Sequence, residues 1–291
     1  MSLIFDREEL RKLYSKDKDR RMLYIEKLVE KEKAFYAANT ELPKDLSKVR
    51  EAVQIHKDEN ILTLLTFAAL NKGGNQVWDN MLYKAFGSDW GTSKKEYEVM
   101  LEQAVSPSKE IKESLIKPAS EHPVKYARDI SELDKAIEGP TTFDAVLEAD
   151  KREVFFECKF TSDISSDTTH CTSRNQIARC IDVGLAKKKD KVEDFYFVLV
   201  TPARYKKYPG ERFYYFKMEQ YMKEPEALAL DIPRFNNWVK EPEKQEFLEK
   251  LAERIAWVTW EECLEEVLAC IEISKGEKEE LKKFYKDRLL F

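Results

Sequence analysis

The chain has 291 residues, enough for one large domain or two small ones, and 43% are hydrophobic, so a sizeable core can be buried. Lys and Arg number 50 against 55 Asp and Glu, a formal charge of −5. That balance excludes a protein that coats nucleic acid by bulk charge, though not one with a local basic groove. No apolar stretch has the length or placement of a signal peptide or membrane span, and the five cysteines (Cys158, Cys171, Cys180, Cys263, Cys270) form no CxxC pair. The expectation is a cytoplasmic protein with reduced thiols and no membrane partner. A four-cysteine metal cluster lacks its ligand spacing.

Residues 5–115 read as helices. Leu23, Ile25, Leu28, Val29 and Phe35 recur near helical spacing in 20–38, and 58–70 is apolar almost all round, as in a buried helix. "NKGG" breaks that helix, 75–86 forms another, "GSDWGTS" is a loop, and 94–103 is read as helical. "SPSKE" starts a shorter helix at 106–110. Near residue 140 the composition changes, and the alternating "TTFDAVLEA" and "VFFECKF" read as two strands of a hairpin. Residues 173–190 return to helix, 194–202 is an apolar run like a buried strand, and 211–218 ("ERFYYFKM") reads as a further strand. After about residue 240 the chain is read as helical, including "QEFLEKLAERIAWV".

The hairpin carries the chemistry. With the turn at "DKRE" (150–153), Ala149 faces Val154, Leu147 faces Phe156, Ala145 faces Cys158 and Phe143 faces Phe160. Side chains alternate faces, so those eight residues make one wholly apolar face. Asp144, Val146, Glu148, Phe155, Glu157 and Lys159 share the other, with Asp144 opposite Lys159 and Glu157 diagonal to Asp144. A slip by one residue would bury the acids, so the pattern is read as fixing the register. The plain interpretation is a solvated face with a cross-strand ion pair. The sharper one is a site for Mg²⁺, a hard cation suited to two carboxylates, with a lysine beside it to act on a bound water.

Asp144, followed after 12 residues by Glu157-Cys158-Lys159, resembles the signature of the PD-(D/E)xK nucleases, the restriction-endonuclease-like superfamily. Pro140 stands four residues before the Asp rather than next to it. The likeness covers roughly residues 60–205, in particular to a group of uncharacterised bacterial and archaeal members. It implies an α/β fold, a central mixed sheet flanked by helices with helical additions at both ends. The expected organisation is a helical region at 1–115, a nuclease-like core at 116–220 and a helical region at 221–291. It implies metal-dependent phosphodiester hydrolysis, of DNA by preference, without a covalent intermediate. Asp144, Glu157 and the backbone carbonyl of Cys158 would hold Mg²⁺ or Mn²⁺, and Lys159 would orient the attacking water. Gln176, on the helix after the Glu-x-Lys strand, would enter the site, and Arg174 and Arg179 beside it would meet nucleic acid. Gln76 would match the polar residue supplied by a helix before the sheet. A homodimer is compatible with this. The alternative is a nucleic-acid-binding or protein-interaction module that kept the fold and lost the chemistry.

Beside the motif, Arg204, Lys206, Lys207 and Arg212 lie among Tyr205, Tyr208 and Phe213, a mixture suited to phosphates and bases or to an ordinary exposed loop. Lys187–Lys189 stand where a helix C-terminus favours cations. His170 and Cys171 are a weak nucleophile pair with no evident third partner. His56 and His122 read as surface residues, and Trp257 and Trp260 as core.

Overall fold

Five strands, β1 (Glu98–Val105), β2 (Thr141–Ala149), β3 (Arg152–Cys158), β4 (Phe195–Thr201) and β5 (Ile255–Thr259), form one mixed sheet in the order β1-β2-β3-β4-β5. The structure is a computed structural model that describes residues 3–38, 58–91, 95–121, 138–166, 168, 171, 174–210, 212–288 and 290. His56, His122 and His170 lie outside these. The first three strands are an antiparallel meander, and β4 and β5 add in parallel.

Around the sheet stand helices α1 (Arg7–Lys12), α2 (Lys18–Ala38), α3 (Glu59–Lys72), α4 (Gly74–Phe86), α5 (Lys109–Glu121), α6 (Gln176–Lys187), α7 (Ala203–Lys207), α8 (Phe213–Lys223), α9 (Pro225–Asp231), α10 (Pro242–Glu253), α11 (Trp260–Ala269) and α12 (Lys275–Lys286). A sheet with parallel strands buries both faces. On one face Ala145, Leu147, Phe156 and Val198 pack with Leu62, Leu65 and Phe67 of α3 and Trp78 of α4. On the other, Val146, Phe155, Phe197 and Leu199 pack with Ile177 and Ile181 of α6 and Tyr214 and Met218 of α8. The α/β class, a central mixed sheet flanked by helices, is therefore as expected. No helix among the described residues is long and apolar enough to cross a membrane. All five cysteines are free and buried, and Trp257 and Trp260 are core residues.

Three segments differ from the sequence reading. Residues 98–105, expected to be helical, form β1: Val99 and Leu101 are buried at alternate positions and pair with Leu147 and Ala145. Residues 255–259 leave the helical pattern after Arg254 and pair with β4, because the apolar run Ile-Ala-Trp-Val fills a buried edge. Residues 213–223, whose N-terminal part was read as a strand, are helix α8. Its buried residues Tyr214, Met218 and Tyr221 fall at helical intervals, and the Asp163 carboxylate accepts the N–H groups of Phe213 and Tyr214 at 2.6 and 3.1 Å. With β1 before residue 116 and β5 after 220, the sheet draws on all three expected regions.

The hairpin register also differs. The turn is two residues, with Asp150 at φ 58°, and Ala149 pairs with Arg152, Leu147 with Val154 and Ala145 with Phe156. Positive φ is what tight hairpin turns require. The shift from the expected register is two positions, so each residue up to Ala145 keeps its face. Phe143 does not: it lies in the opposite cluster, its ring 4.8 Å from that of Phe155.

Candidate active site

The irregularity at Phe143 is what places Asp144. Between the pairs Leu101–Ala145 and Gln103–Phe143 the β1 ladder skips Glu102, whose φ is 51°. On the other side, the ladder with β3 ends at Ala145–Phe156. Asp144 thus stands where pairing is interrupted on both sides, and its side chain replaces the missing partner: Oδ2 accepts the Cys158 N–H at 2.7 Å. In a strand the N–H and C=O of one residue point the same way. The Cys158 carbonyl therefore points toward the β2 side, where Asp144 is.

Glu157 and Lys159 follow on β3 and just beyond it. Both are nearly buried, at 3% and 7% exposure, while Asp144 is half-buried. Lys159 Nζ lies 2.6 Å from Glu157 Oε1. Gln176 Nε2, on the first turn of α6, donates to the same oxygen at 2.6 Å, and its own carbonyl accepts from Ser165 N at 3.2 Å. The Cys180 thiol, one turn further along α6, donates to Glu157 Oε2 at 3.5 Å. Asn175 caps this helix and ties it to Tyr221, so the Gln176 side chain is delivered by a fixed helix start. Asp144, Glu157, Lys159 and Gln176 are thus brought together.

The expected Asp144–Lys159 pairing is replaced by Glu157–Lys159, and the solvated face by a buried polar pocket between sheet and α6. The backbone of Lys159 is held from two other elements. Its N–H donates to Val200 O at 2.8 Å. Its carbonyl would take the N–H of residue 202 in a continuing parallel ladder, but Pro202 has none. The Trp260 indole supplies the donor instead, at 3.0 Å.

Sequence reasoning missed Glu59. At the first residue of α3, its Oε2 accepts from Phe160 N at 2.7 Å and Ser162 Oγ at 3.1 Å, and Oε1 lies 3.8 Å from Lys159 Nζ. The expected contributor from an early helix, Gln76, is instead on α4, bonded to Asn80, and lines a hollow with Cys270 and Glu272. The signal for Glu59 was the "DEN" opening of a helix apolar enough to lie on the sheet. Asp58 caps that helix, which points the next residue toward the strand ends.

The electrostatics follow from crowding. Burial, then the charge of Glu157, raises the Asp144 carboxyl well above its ordinary value, against Lys159 and the Cys158 N–H. Burial likewise raises Glu59. For Lys159, burial lowers the ammonium, but Glu157, Glu59 and Asp144 together outweigh it and raise it. Lys159 is thus a protonated donor. With all groups ionised the site carries −3 + 1 = −2 from Asp144, Glu157, Glu59 and Lys159. Hard oxygens with that net charge suit a divalent cation in kind. Among the described residues, however, no three His, Cys, Asp or Glu side chains are grouped as ready ligands, and Lys159 occupies the Glu157 oxygen.

The expected nucleic-acid contacts divide. Arg174 is fully buried, paired with Glu138 at 2.6 Å and Asp182 at 2.7 Å, and cannot reach a ligand. Arg179 is bound to Glu138 and to the carbonyls of Gly139 and Pro140. Both brace the chain entering β2 against α6. Lys206 donates to Trp257 O at 2.9 Å. Arg204 lies over Phe160, 5.7 Å from its ring centroid, and Lys207 lies beside Tyr208. Lys187 and Lys188 pair with Glu153, as suits a helix end. No family model matches the chain, and neither a curated protein nor a solved structure matches it.

Proposed function

We propose that the protein is a metal-dependent nuclease of the PD-(D/E)xK type, with a restriction-endonuclease-like core, acting on DNA. The observation that carries this reading is the convergence of Asp144, Glu157, Lys159 and Gln176 at the one point where β2 loses its partners on both sides. Asp144, Glu157 and the Cys158 carbonyl would hold Mg²⁺ or Mn²⁺, which neutralises charge on the scissile phosphate when bound. Lys159, kept protonated by its carboxylate neighbours, donates to the attacking water and to developing negative charge. Gln176 holds Glu157 in place, and Glu59 accepts from the Phe160 N–H and the Ser162 hydroxyl so that Lys159 projects into the site. Incubation of purified protein with plasmid and Mn²⁺ tests this: the wild type nicks or linearises the DNA, and Asp144→Ala does not. Equal cleavage by both overturns it.

Lys159, lodged 2.6 Å from the Glu157 oxygen that a metal would take, favours a second reading, a binding module that no longer cleaves. Failure of the wild type to cut any form of DNA or RNA, with binding retained, would select it.

A further inference from the structure

The segment after β4 carries more than positive charge. Tyr205 on α7 has two guanidiniums against its ring, Arg212 at 4.3 Å and Arg204 at 4.9 Å from the centroid. Burial raises its phenol, but Arg204 and then Arg212 outweigh this and lower it. Three residues on, the Tyr208 ring is 68% exposed, with Lys207 Nζ 5.3 Å from its centroid. Gly210, at φ 55°, turns the chain back. Asp163, Tyr205, Tyr208, Pro209, Gly210 and Arg212 line a hollow of about 440 Å³, inside the range of roughly 300–1,000 Å³ that small-ligand sites occupy.

This hollow is tied to the candidate site. Arg212 donates to Thr161 O at 2.9 Å, and Asp163, in its wall, caps α8. Asp163 is four residues beyond Lys159, so their backbones are at most about 14 Å apart. At about 3.4 Å per nucleotide along a stacked strand, that is about four nucleotides.

An exposed aromatic ring flanked by cations offers a stacking face and phosphate partners together. In a duplex both faces of each base are covered by neighbours, so only an unpaired base can use the Tyr208 ring. We propose that the hollow binds an unpaired nucleotide, its base on Tyr208 and its phosphates against Arg212 and Lys207, so that the preferred substrate is single-stranded within a few nucleotides of the scissile bond. This substrate class rests on the nuclease reading; the binding itself does not.

The test measures binding without cleavage. A dye-labelled deoxythymidine 12-mer and a duplex of equal length are titrated in EDTA, by fluorescence anisotropy, against wild type, Tyr208→Ala and Tyr208→Phe. The expected result is that wild type binds the single strand, that Tyr208→Ala weakens this by about tenfold, and that Tyr208→Phe restores it. Duplex affinity changes by less than about twofold, since phosphate contacts alone hold it. No single-strand binding by the wild type, an unchanged Tyr208→Ala, or an equal loss for the duplex overturns the proposal. Because no metal is present, a protein that fails to cleave can still pass this test, and one that cleaves can still fail it.

Discussion

Replacing Glu157 by Gln separates a metal-binding carboxylate from a buried ion pair. In metal-free buffer the substitution leaves Lys159 beside a neutral amide, with the Glu59 carboxylate 3.8 Å away as its remaining ion-pair partner. Breaking a buried pair costs about 3–5 kcal/mol. Here the repulsion between Glu157 and Asp144 is relieved at the same time, so the loss falls at the low end, about 3 kcal/mol. Unfolding entropy near 2.1 cal/mol/K per residue gives about 0.6 kcal/mol/K for 291 residues. The metal-free Tm therefore drops by about 5 °C. A divalent ion at a hundred times its Kd adds about 2.7 kcal/mol, a rise of about 4 °C in the wild type. Glu157→Gln should lose most of that rise. Lys159→Ala, which frees the Glu157 oxygen, should keep or increase it while losing cleavage. Scanning calorimetry in EDTA and in saturating Mg²⁺ or Mn²⁺ reads all three. An equal metal-induced rise in wild type and Glu157→Gln, or none in the wild type, refutes the ligand role.

Four further outcomes are expected. Asp144, raised by burial and by Glu157, holds its proton to higher pH when folded than when unfolded. The resulting stability is fully present below the unfolded value of about 3.9 and is lost as pH rises through the folded one; metal-free urea melts from about pH 4 to 8 should show the wild type losing stability relative to Asp144→Asn, and a constant gap contradicts the shift. Gln176→Ala should cut cleavage by about 10–100-fold through its hold on Glu157, measured as single-turnover rate; an unchanged rate removes it from the site. Trp260→Phe strands the Lys159 carbonyl and should cost about 1–3 kcal/mol by denaturant melts, with no effect indicating another donor. Arg174→Ala should cost about 3–5 kcal/mol by breaking its pairs with Glu138 and Asp182; a change in nucleic-acid affinity at full stability would return it to the binding surface.

The hairpin was legible because period-two alternation constrains faces even when the turn is drawn two residues too long. That parity brought Asp144, Glu157 and Lys159 to one side without the true register. What it could not carry was the break at Glu102, a positive-φ residue with no glycine to mark it, and with it the exchange of Asp144's partner and the transfer of Phe143. Segments 98–105 and 255–259 hid because short apolar runs fit either period, and only pairing with β2 and β4 decides between them. Arg174 and Arg179 looked like nucleic-acid contacts because charge in sequence carries no sign of the Glu138 that neutralises it. Glu59 lay too far along the chain for any local pattern to join it to the motif.

That distance bears on how the protein is made. Two of the bonds that fix the segment around Lys159 join residues 101 apart: Glu59 to Phe160, looking back along the chain, and Trp260 to Lys159, looking forward. Asp144, Glu157 and Lys159 leave the ribosome with the first anchor already synthesised and the second still to come. At about 5–20 residues per second the wait is roughly 5–20 s. During it the Lys159 carbonyl lacks its indole donor and β5 is absent from the sheet. The arrangement around Lys159 is thus complete only once residue 260 has been made, and a fragment ending soon after β4 would carry every residue of the signature yet lack this anchor.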